Sequence, residues 1–412
     1  MDDVIVVGAG PAGNNVALGL ANQGHSVTVI DWRHNIGDKP CTGIVGQECI
    51  WRFPIDPSLI YRETNSARLV SPEAHCVHLE TKSTQACIID RVGYVASFAH
   101  RAQAAGANYC LGQRVLQVLP DEHGVTVITD QMSYRSRSLV LASGFGSLLT
   151  RQLGLGAAPD HVSGIQALVA SDDITEVEIY LGEEVAPGFF SWLVPTTPGQ
   201  ALVGLLTRRK APAHLVKFLQ YLRCSNRISG VLKEPTCWGI PLRPLKRTYR
   251  DRVLVVGDAA GQVKPTTGGG IYYSLLASEL AAEVLGQALK DDDLTSGCLS
   301  LYQSAWKILL SHELETGYSA RRFYEFLSDQ QISSLIRQAG SNGVYEDLAN
   351  SPDTFFDWHS QVIGKLMSHP AIYGVLRLLN PLLTKFAPNS DIPLGLALTT
   401  SNGVTPIPQT HR

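Results

Sequence analysis

The chain begins with a short apolar run, Val4-Ile5-Val6-Val7, which ends at Gly8 and gives way to small residues at helical spacing, Ala17, Ala21 and Gly24. A second apolar run, Val27-Thr28-Val29-Ile30, ends in Asp31, so the pattern predicts strand, turn, helix and strand over residues 3–31. The same punctuation returns late in the chain. Val253-Leu254-Val255-Val256 suits a buried strand, Gly257–Gly270 a glycine-rich turn, and Ser274–Ala282 a helix. Between these units, residues 38–50 read as a loop entering a helix. Alternation over 66–90 (Ala67, Leu69, Val77, Leu79, Ile88) predicts antiparallel sheet, and Arg91 opens a helix through Val95, Phe98 and Ala102 to about Gly106. Strands follow at 114–119 and 124–129 around an Asp-Glu-His-Gly turn, and again at 138–142. Residues 162–207 are β-rich, 209–232 read as helical, and 236–249 lead back to the strand at Val253. After the charge run Lys290-Asp291-Asp292-Asp293 the remainder reads as helical and irregular.

These elements predict an α/β chain with a Rossmann-like cofactor domain assembled from 1–65, 90–155 and 245–290. A β-sheet domain for substrate (66–89 and 156–244) is inserted into it, and a mainly helical region, 291–412, follows. A chain of 412 residues is long enough for this division.

The two turns carry the chemistry. In Gly8-Ala9-Gly10-Pro11-Ala12-Gly13, Gly8 permits the tight turn, Gly10 lets the backbone approach a pyrophosphate, and Gly13 lets helix and strand pack closely. The helix N-terminus faces the phosphates, and Asp31 is placed to accept ribose hydroxyls. Asp258, at the end of the second strand, can accept a hydrogen bond from a polyol beside another helix N-terminus. A dinucleotide with a polyol and an electron-rich ring edge describes FAD. A glycine-rich turn without ligand is the bland alternative.

Composition narrows the partners. The apolar fraction of 44%, the charged fraction of 17% and a formal charge of −3 suit a globular enzyme without a basic face for nucleic acid. Eight scattered cysteines without a C-x-x-C pair predict neither a zinc site nor a disulfide framework, and twelve histidines show no paired spacing. The fingerprint starts at Val4, which leaves no room for a signal peptide. With no apolar run of about 18 residues, a cytoplasmic protein is expected.

With these motifs in place, the chain resembles the FAD-dependent geranylgeranyl reductase family, within the flavoproteins of the p-hydroxybenzoate hydroxylase type. The resemblance covers roughly residues 3–285. Lys39-Pro40-Cys41-Thr42-Gly43 resembles the family's Lys-x-Cys-x-Gly loop beside the flavin, and Asp90-Arg91 its Asp-Arg pair near the pyrophosphate. Phe190-Ser191-Trp192-Leu193-Val194-Pro195 resembles its Tyr-x-Trp-x-Phe-Pro substrate-cavity motif, with Phe190 for Tyr and Val194 for Phe. Gly257–Ile271 resembles the block that embraces the flavin. Ser143-Gly144 stands where related hydroxylases carry Asp-Gly, and Asp31 where Glu is common.

The resemblance implies FAD contacts from Gly8, Gly10, Ala12, Gly13, Asp31 and Trp32, from Cys41, Thr42, Gly43, Arg91 and Val115, and from Gly257, Asp258, Gly261, Pro265, Gly268, Gly269, Gly270 and Ile271. It implies a cavity formed by Phe190, Trp192 and Pro195, with Cys41 and Trp192 at the catalytic centre. Cys41 would protonate the substrate or only shape the cavity. The bland alternatives are plain sheet core for the aromatics and a surface helix position for Arg91. Lys264, Thr266 and Thr267 lie in the flavin loop and could tune the ring. The implied reaction saturates C=C bonds in a polyprenyl chain carried by a lipid, a quinone or a chlorophyll precursor. NAD(P)H, ferredoxin or a reduced quinone would supply the electrons. A flavin-dependent monooxygenase or halogenase, and a non-catalytic prenyl-binding scaffold, are the alternatives. Residues 362–386, apolar with Lys365, Arg377 and Lys385 and no acid, read either as a docking helix pair or as a peripheral contact with an anionic membrane.

Overall fold

In the computed structural model, residues 1–341, 343–349 and 356–370 are described. The strands build three sheets. The first runs in the order Tyr249–Arg250 (β17), Val253–Val255 (β18), Ser133–Leu141 (β11), Asp2–Val7 (β1), Val27–Asp31 (β2) and Asn108–Leu111 (β8). Val115–Asp121 (β9) and Gly124–Thr129 (β10) extend it as an antiparallel meander from β11. β1 pairs in parallel with β2 and β11, and β11 with β18, so the ends of β1, β2 and β18 point the same way. The Gly8 and Gly257 turns therefore meet at one edge of the sheet, where parallel α/β sheets bind ligands.

Pro11–Asn22 (α1) follows the Gly8 turn with proline in its first turn. Gly8 has φ +111°, and a Cβ there would lie 2.3 Å from the Ala142 carbonyl oxygen. A Cβ on Gly13 would lie 1.9 Å from the Gly8 carbonyl oxygen. Both glycines are demanded by this crossing of strand and helix. Arg91–Ala104 (α3), capped by the Asp90 carboxylate, and Ile271–Lys290 (α6) flank α1 and bury its apolar face.

The second sheet has seven strands, in the order Gly230–Pro241 (β16), His161–Ala170 (β12), Gln200–Thr207 (β15), Phe190–Pro195 (β14), Val177–Leu181 (β13), Ser66–Val70 (β5) and Cys76–Glu80 (β6). One face is covered by Ala211–Cys224 (α5), whose Leu215, Phe218 and Leu222 pack on Ile165, Val169 and Leu205. The other face looks toward the first sheet. A small sheet of Ile44–Gly46 (β3), Ala86–Ile89 (β7) and Ile60–Thr64 (β4) lies beside it, with Gln47–Arg52 (α2) leaving β3. A four-residue helix, Leu149–Gln152 (α4), follows β11.

One expectation changes. The helix expected over 209–232 stops at Cys224, because Asn226 turns at φ +55° and residues from Gly230 pair with β12 instead. The C-terminal region packs onto the cofactor sheet. Ser296–Glu325 (α7), 30 residues long, buries Tyr302, Trp306, Leu310 and Leu314 in the same core as α1 and α6. Asp329–Ser341 (α8), Val344–Ala349 (α9) and His359–Ser368 (α10) follow. Of the stretch 362–386, residues 371–386 lie outside the described residues. No helix among the described residues is long and apolar enough to cross a membrane.

Candidate active site

A continuous cavity of about 2230 Å³ runs from the Gly8 turn, past the 39–43 loop, to the inner face of the seven-stranded sheet. Gly8, Gly10, Ala12, Asp31, Trp32 and Val115 line one end. Cys41, Thr42, Gly43 and Arg91 line the middle, with Gly257, Asp258, Gly268, Gly269, Gly270 and Ile271 opposite, and Phe190 and Trp192 line the far wall. Four residues named from the sequence stand behind the wall. Gly13 is spent on the contact with Gly8. Gly261 gives room to the Arg243 carbonyl, 2.5 Å from where its Cβ would sit. Pro265 packs near Gly317, and Pro195 pairs with Ala201 in the sheet.

The middle of the cavity is tightly tied. Asp31 accepts from the Ala9 amide at 2.7 Å and the Arg33 amide at 2.8 Å, so the strand-end carboxylate holds the glycine turn. A carboxylate has about four acceptor positions, which leaves capacity for ligand hydroxyls. Arg91 is buried and donates to the Gly37 and Lys39 carbonyls, folding the loop that presents Cys41. Burial pushes its pKa down. Lys39 crosses the cavity to Asp258 at 2.5 Å. Trp32, 48% exposed, lies at the rim with the guanidinium groups of Arg33 and Arg114 at 4.3 and 4.8 Å from its ring.

Gln166, Trp238, Phe356 and Asp357 line the wall without having carried a motif. Gln166, on β12, links the Cys41 loop to Trp192. Its sequence signal was a lone amide inside the apolar run Ile165–Val169. Trp238 lines the wall from β16. Lys264, buried beside the Gly268 turn, donates to the Phe356 carbonyl at 3.0 Å and lies 3.6 Å from the Asp357 carboxylate. Burial pushes its pKa down against the pull of Asp357. Asp357 also accepts the Glu48 and Cys49 amides at the start of α2, at 3.0 and 3.3 Å. Glu313 of α7 accepts the His359 amide at 2.9 Å and the Ser360 amide at 3.1 Å, capping α10. His359 contacts Thr266, and burial with the nearby Lys264 charge pushes its pKa down to about 3. The segment 356–360 is thus clamped onto the loop that follows Gly257, and Phe356 and Asp357 line the cavity.

The lining fits FAD. A Cβ on Gly10 would meet nothing within 4 Å, so the cradle beside the helix N-terminus is open. The Ser143 hydroxyl is buried at the cavity wall with no hydrogen-bond partner among the described residues. Among the described residues no cluster of His, Cys, Asp and Glu could hold a metal ion.

A parallel sheet with a glycine-turn dinucleotide cradle, opening into an antiparallel-sheet cavity, defines an FAD-dependent oxidoreductase. The pattern of the pyridine nucleotide-disulphide oxidoreductase family matches residues 2–178. The chain is 30% identical to a digeranylgeranylglycerophospholipid reductase from Methanothrix thermoacetophila, over 83% of this chain and 92% of the relative. It is 28% identical to digeranylgeranylglycerophospholipid reductase 1 of Methanococcoides burtonii, over 81% and 86%. The chain belongs to the geranylgeranyl reductase family. Among solved structures, a geranylgeranyl bacteriochlorophyll reductase-like protein from Thermoplasma acidophilum superposes with TM-score 0.80 at 22% identity, covering 92% of this chain and 99% of that one. The halogenase PltM shares the fold at TM-score 0.65 and 15% identity, over 96% of this chain and 98% of its own.

Proposed function

We propose that the protein reduces C=C bonds in the polyprenyl chains of a glycerophospholipid. The carrying observation is the continuity of the cavity, which joins the dinucleotide cradle at Gly10 to an apolar wall of Ile179, Phe190, Trp192, Val194 and Leu202 past the Cys41 loop. An apolar wall with few polar groups suits a prenyl chain better than a sugar or an acid. The names of the curated relatives favour a glycerolipid over a quinone or a chlorophyll precursor as the carrier.

FAD held in this cradle would, when reduced, supply hydride chemistry at one alkene carbon. The chain's own residues do the rest. The Gly8 and Gly268 turns bind and orient the dinucleotide. Trp192 and Phe190 exclude water and hold the chain, and the Cys41 thiol delivers the proton to the second carbon. The electrons come from NAD(P)H or a ferredoxin, and the lipid is drawn from the cytoplasmic face of a membrane.

The test is anaerobic incubation of FAD-loaded, dithionite-reduced protein with a digeranylgeranyl glycerophospholipid, followed by mass spectrometry. A mass gain of one hydrogen molecule per double bond is expected. Unchanged lipid, together with rapid NAD(P)H-driven oxygen consumption and an oxygenated or halogenated product, would overturn the reading.

A further inference from the structure

Two indoles are countersunk into the sheet that walls the cavity. Trp192 on β14 lies across Gly204 on β15, where a Cβ would come within 2.4 Å of its ring. Trp238 on β16 lies across Gly164 on β12 from the opposite side, where a Cβ would come within 2.8 Å. Gln166 stands between them, facing Gly204 on one side and Thr236 on the other. Its neighbours Ile165 and Val169 join the core beneath α5, whereas Gln166 and Leu168 line the cavity.

The amide of Gln166 is shared between two parts of the site. Its Oε1 accepts from the Trp192 Nε1–H at 3.3 Å and from the Thr42 hydroxyl at 2.9 Å. Its Nε2 donates to the Cys41 carbonyl at 3.4 Å. Gln166 is buried, so none of these bonds is readily exchanged for water. Arg91 gathers the carbonyls of Gly37 and Lys39 just before the cysteine, and Gln166 holds Cys41 and Thr42. The thiol loop is thereby fixed from both sides.

We propose that Gln166 is a positioning residue. It sets the pose of the Cys41 loop and the tilt of Trp192 together, and so fixes the gap between thiol and indole through which the substrate chain must pass. The inference rests on the reading of the cavity as a polyprenyl reductase site. It adds the group that determines how well a slender apolar chain is aligned there. Gln166→Leu keeps the approximate volume and removes all three hydrogen bonds. Gln166→Glu keeps an acceptor for Trp192 and Thr42 and loses the donor to the Cys41 carbonyl.

Two measurements on the FAD-loaded protein test the proposal. In the first, alkylation of Cys41 by iodoacetamide is followed by peptide mass spectrometry, which separates it from the exposed Cys76, Cys224 and Cys237. The second is single-turnover reduction of a digeranylgeranyl glycerophospholipid by dithionite-reduced protein at saturating lipid. For Gln166→Leu we expect unchanged FAD content, a changed Cys41 alkylation rate, and a turnover rate down by about ten-fold or more, the scale of losing one to two neutral hydrogen bonds. Gln166→Glu should fall between wild type and Gln166→Leu. Wild-type alkylation and turnover in Gln166→Leu would overturn the proposal. So would a loss confined to melting temperature. If Gln166→Leu fails to fold, Thr42→Val removes one of the same bonds from the loop side and must shift Cys41 alkylation in the same direction, or the proposal fails. If wild-type protein leaves the lipid unreduced, the substrate reading fails, while the alkylation difference still decides the role of Gln166.

Discussion

At the scale of the residue, Gly10 and Gly13 show how one motif divides its labour. They are three positions apart in one turn, yet only Gly10 faces the cavity, and only Gly13 is pressed against backbone. Gly10→Val therefore places its side chain in open space within the protein and in the path of the dinucleotide. The expected outcome is a wild-type melting temperature for the apoprotein with FAD binding abolished, read by flavin fluorescence titration. Gly13→Val must displace the Gly8 carbonyl, so loss of folding is expected along with loss of FAD. Equal effects of the two on the apoprotein's melting temperature would contradict this division. Cys41 separates chemistry from binding in a similar way. It sits half-buried on a loop held by Arg91 and Gln166 through carbonyl groups, so the thiol itself carries none of those bonds. Cys41→Ala should retain FAD and its reduction by dithionite but slow lipid reduction. Loss of flavin would make the residue a packing element.

Elements differed in how far local pattern determined them. The units around Gly8 and Gly257 were legible because each is local: an apolar strand, a glycine turn and a small-residue helix lie within about thirty residues of each other. The hairpin of β9 and β10 was legible from its turn. The strand β16 was not. Its middle residues, Leu232 to Cys237, are exposed, and its identity comes from the ladder to β12, some seventy positions away in sequence. The clamp between α7 and α10 was equally hidden, because Glu313, His359 and Thr266 meet only in the folded chain. It has a pH signature. His359 is held neutral, its pKa depressed to about 3 from an ordinary 6.5 by burial and by Lys264. The unfolded chain therefore binds a proton that the folded chain refuses. The stability tied to neutral His359 is present above about pH 6.5 and is lost as pH falls toward 3, at up to about 1.4 kcal/mol per pH unit. His359→Gln should flatten the fall in melting temperature between pH 7 and pH 4.5. An unchanged slope would show that His359 is solvated in solution.

Across the whole molecule, the cavity is a composite of distant chain segments. Asp357 joins three of them: the start of α2 through the Glu48 and Cys49 amides, the loop after Gly257 through Lys264, and its own segment, 356–360. Gly46 makes the junction possible, since a Cβ there would collide with the Asp357 carboxylate. Nothing near residue 357 in the sequence announces this, whereas Lys264 is legible from its place in the glycine-rich stretch after Gly257. The ion pair is buried on both sides, which fixes the energetic expectation. Removing one partner of such a pair strands the other and costs roughly 3–5 kcal/mol, while replacing both with apolar groups costs far less. Asp357→Leu alone should therefore lower the melting temperature sharply, and it also forfeits the cap on α2. Lys264→Met alone should do so less, because Asp357 keeps its two amide donors. The double variant should melt above Asp357→Leu, with a coupling that survives added salt, since buried pairs are little screened. Strictly additive single effects would mean that Lys264 and Asp357 do not interact, and that the segment 356–360 is held by Glu313 and its backbone donors alone.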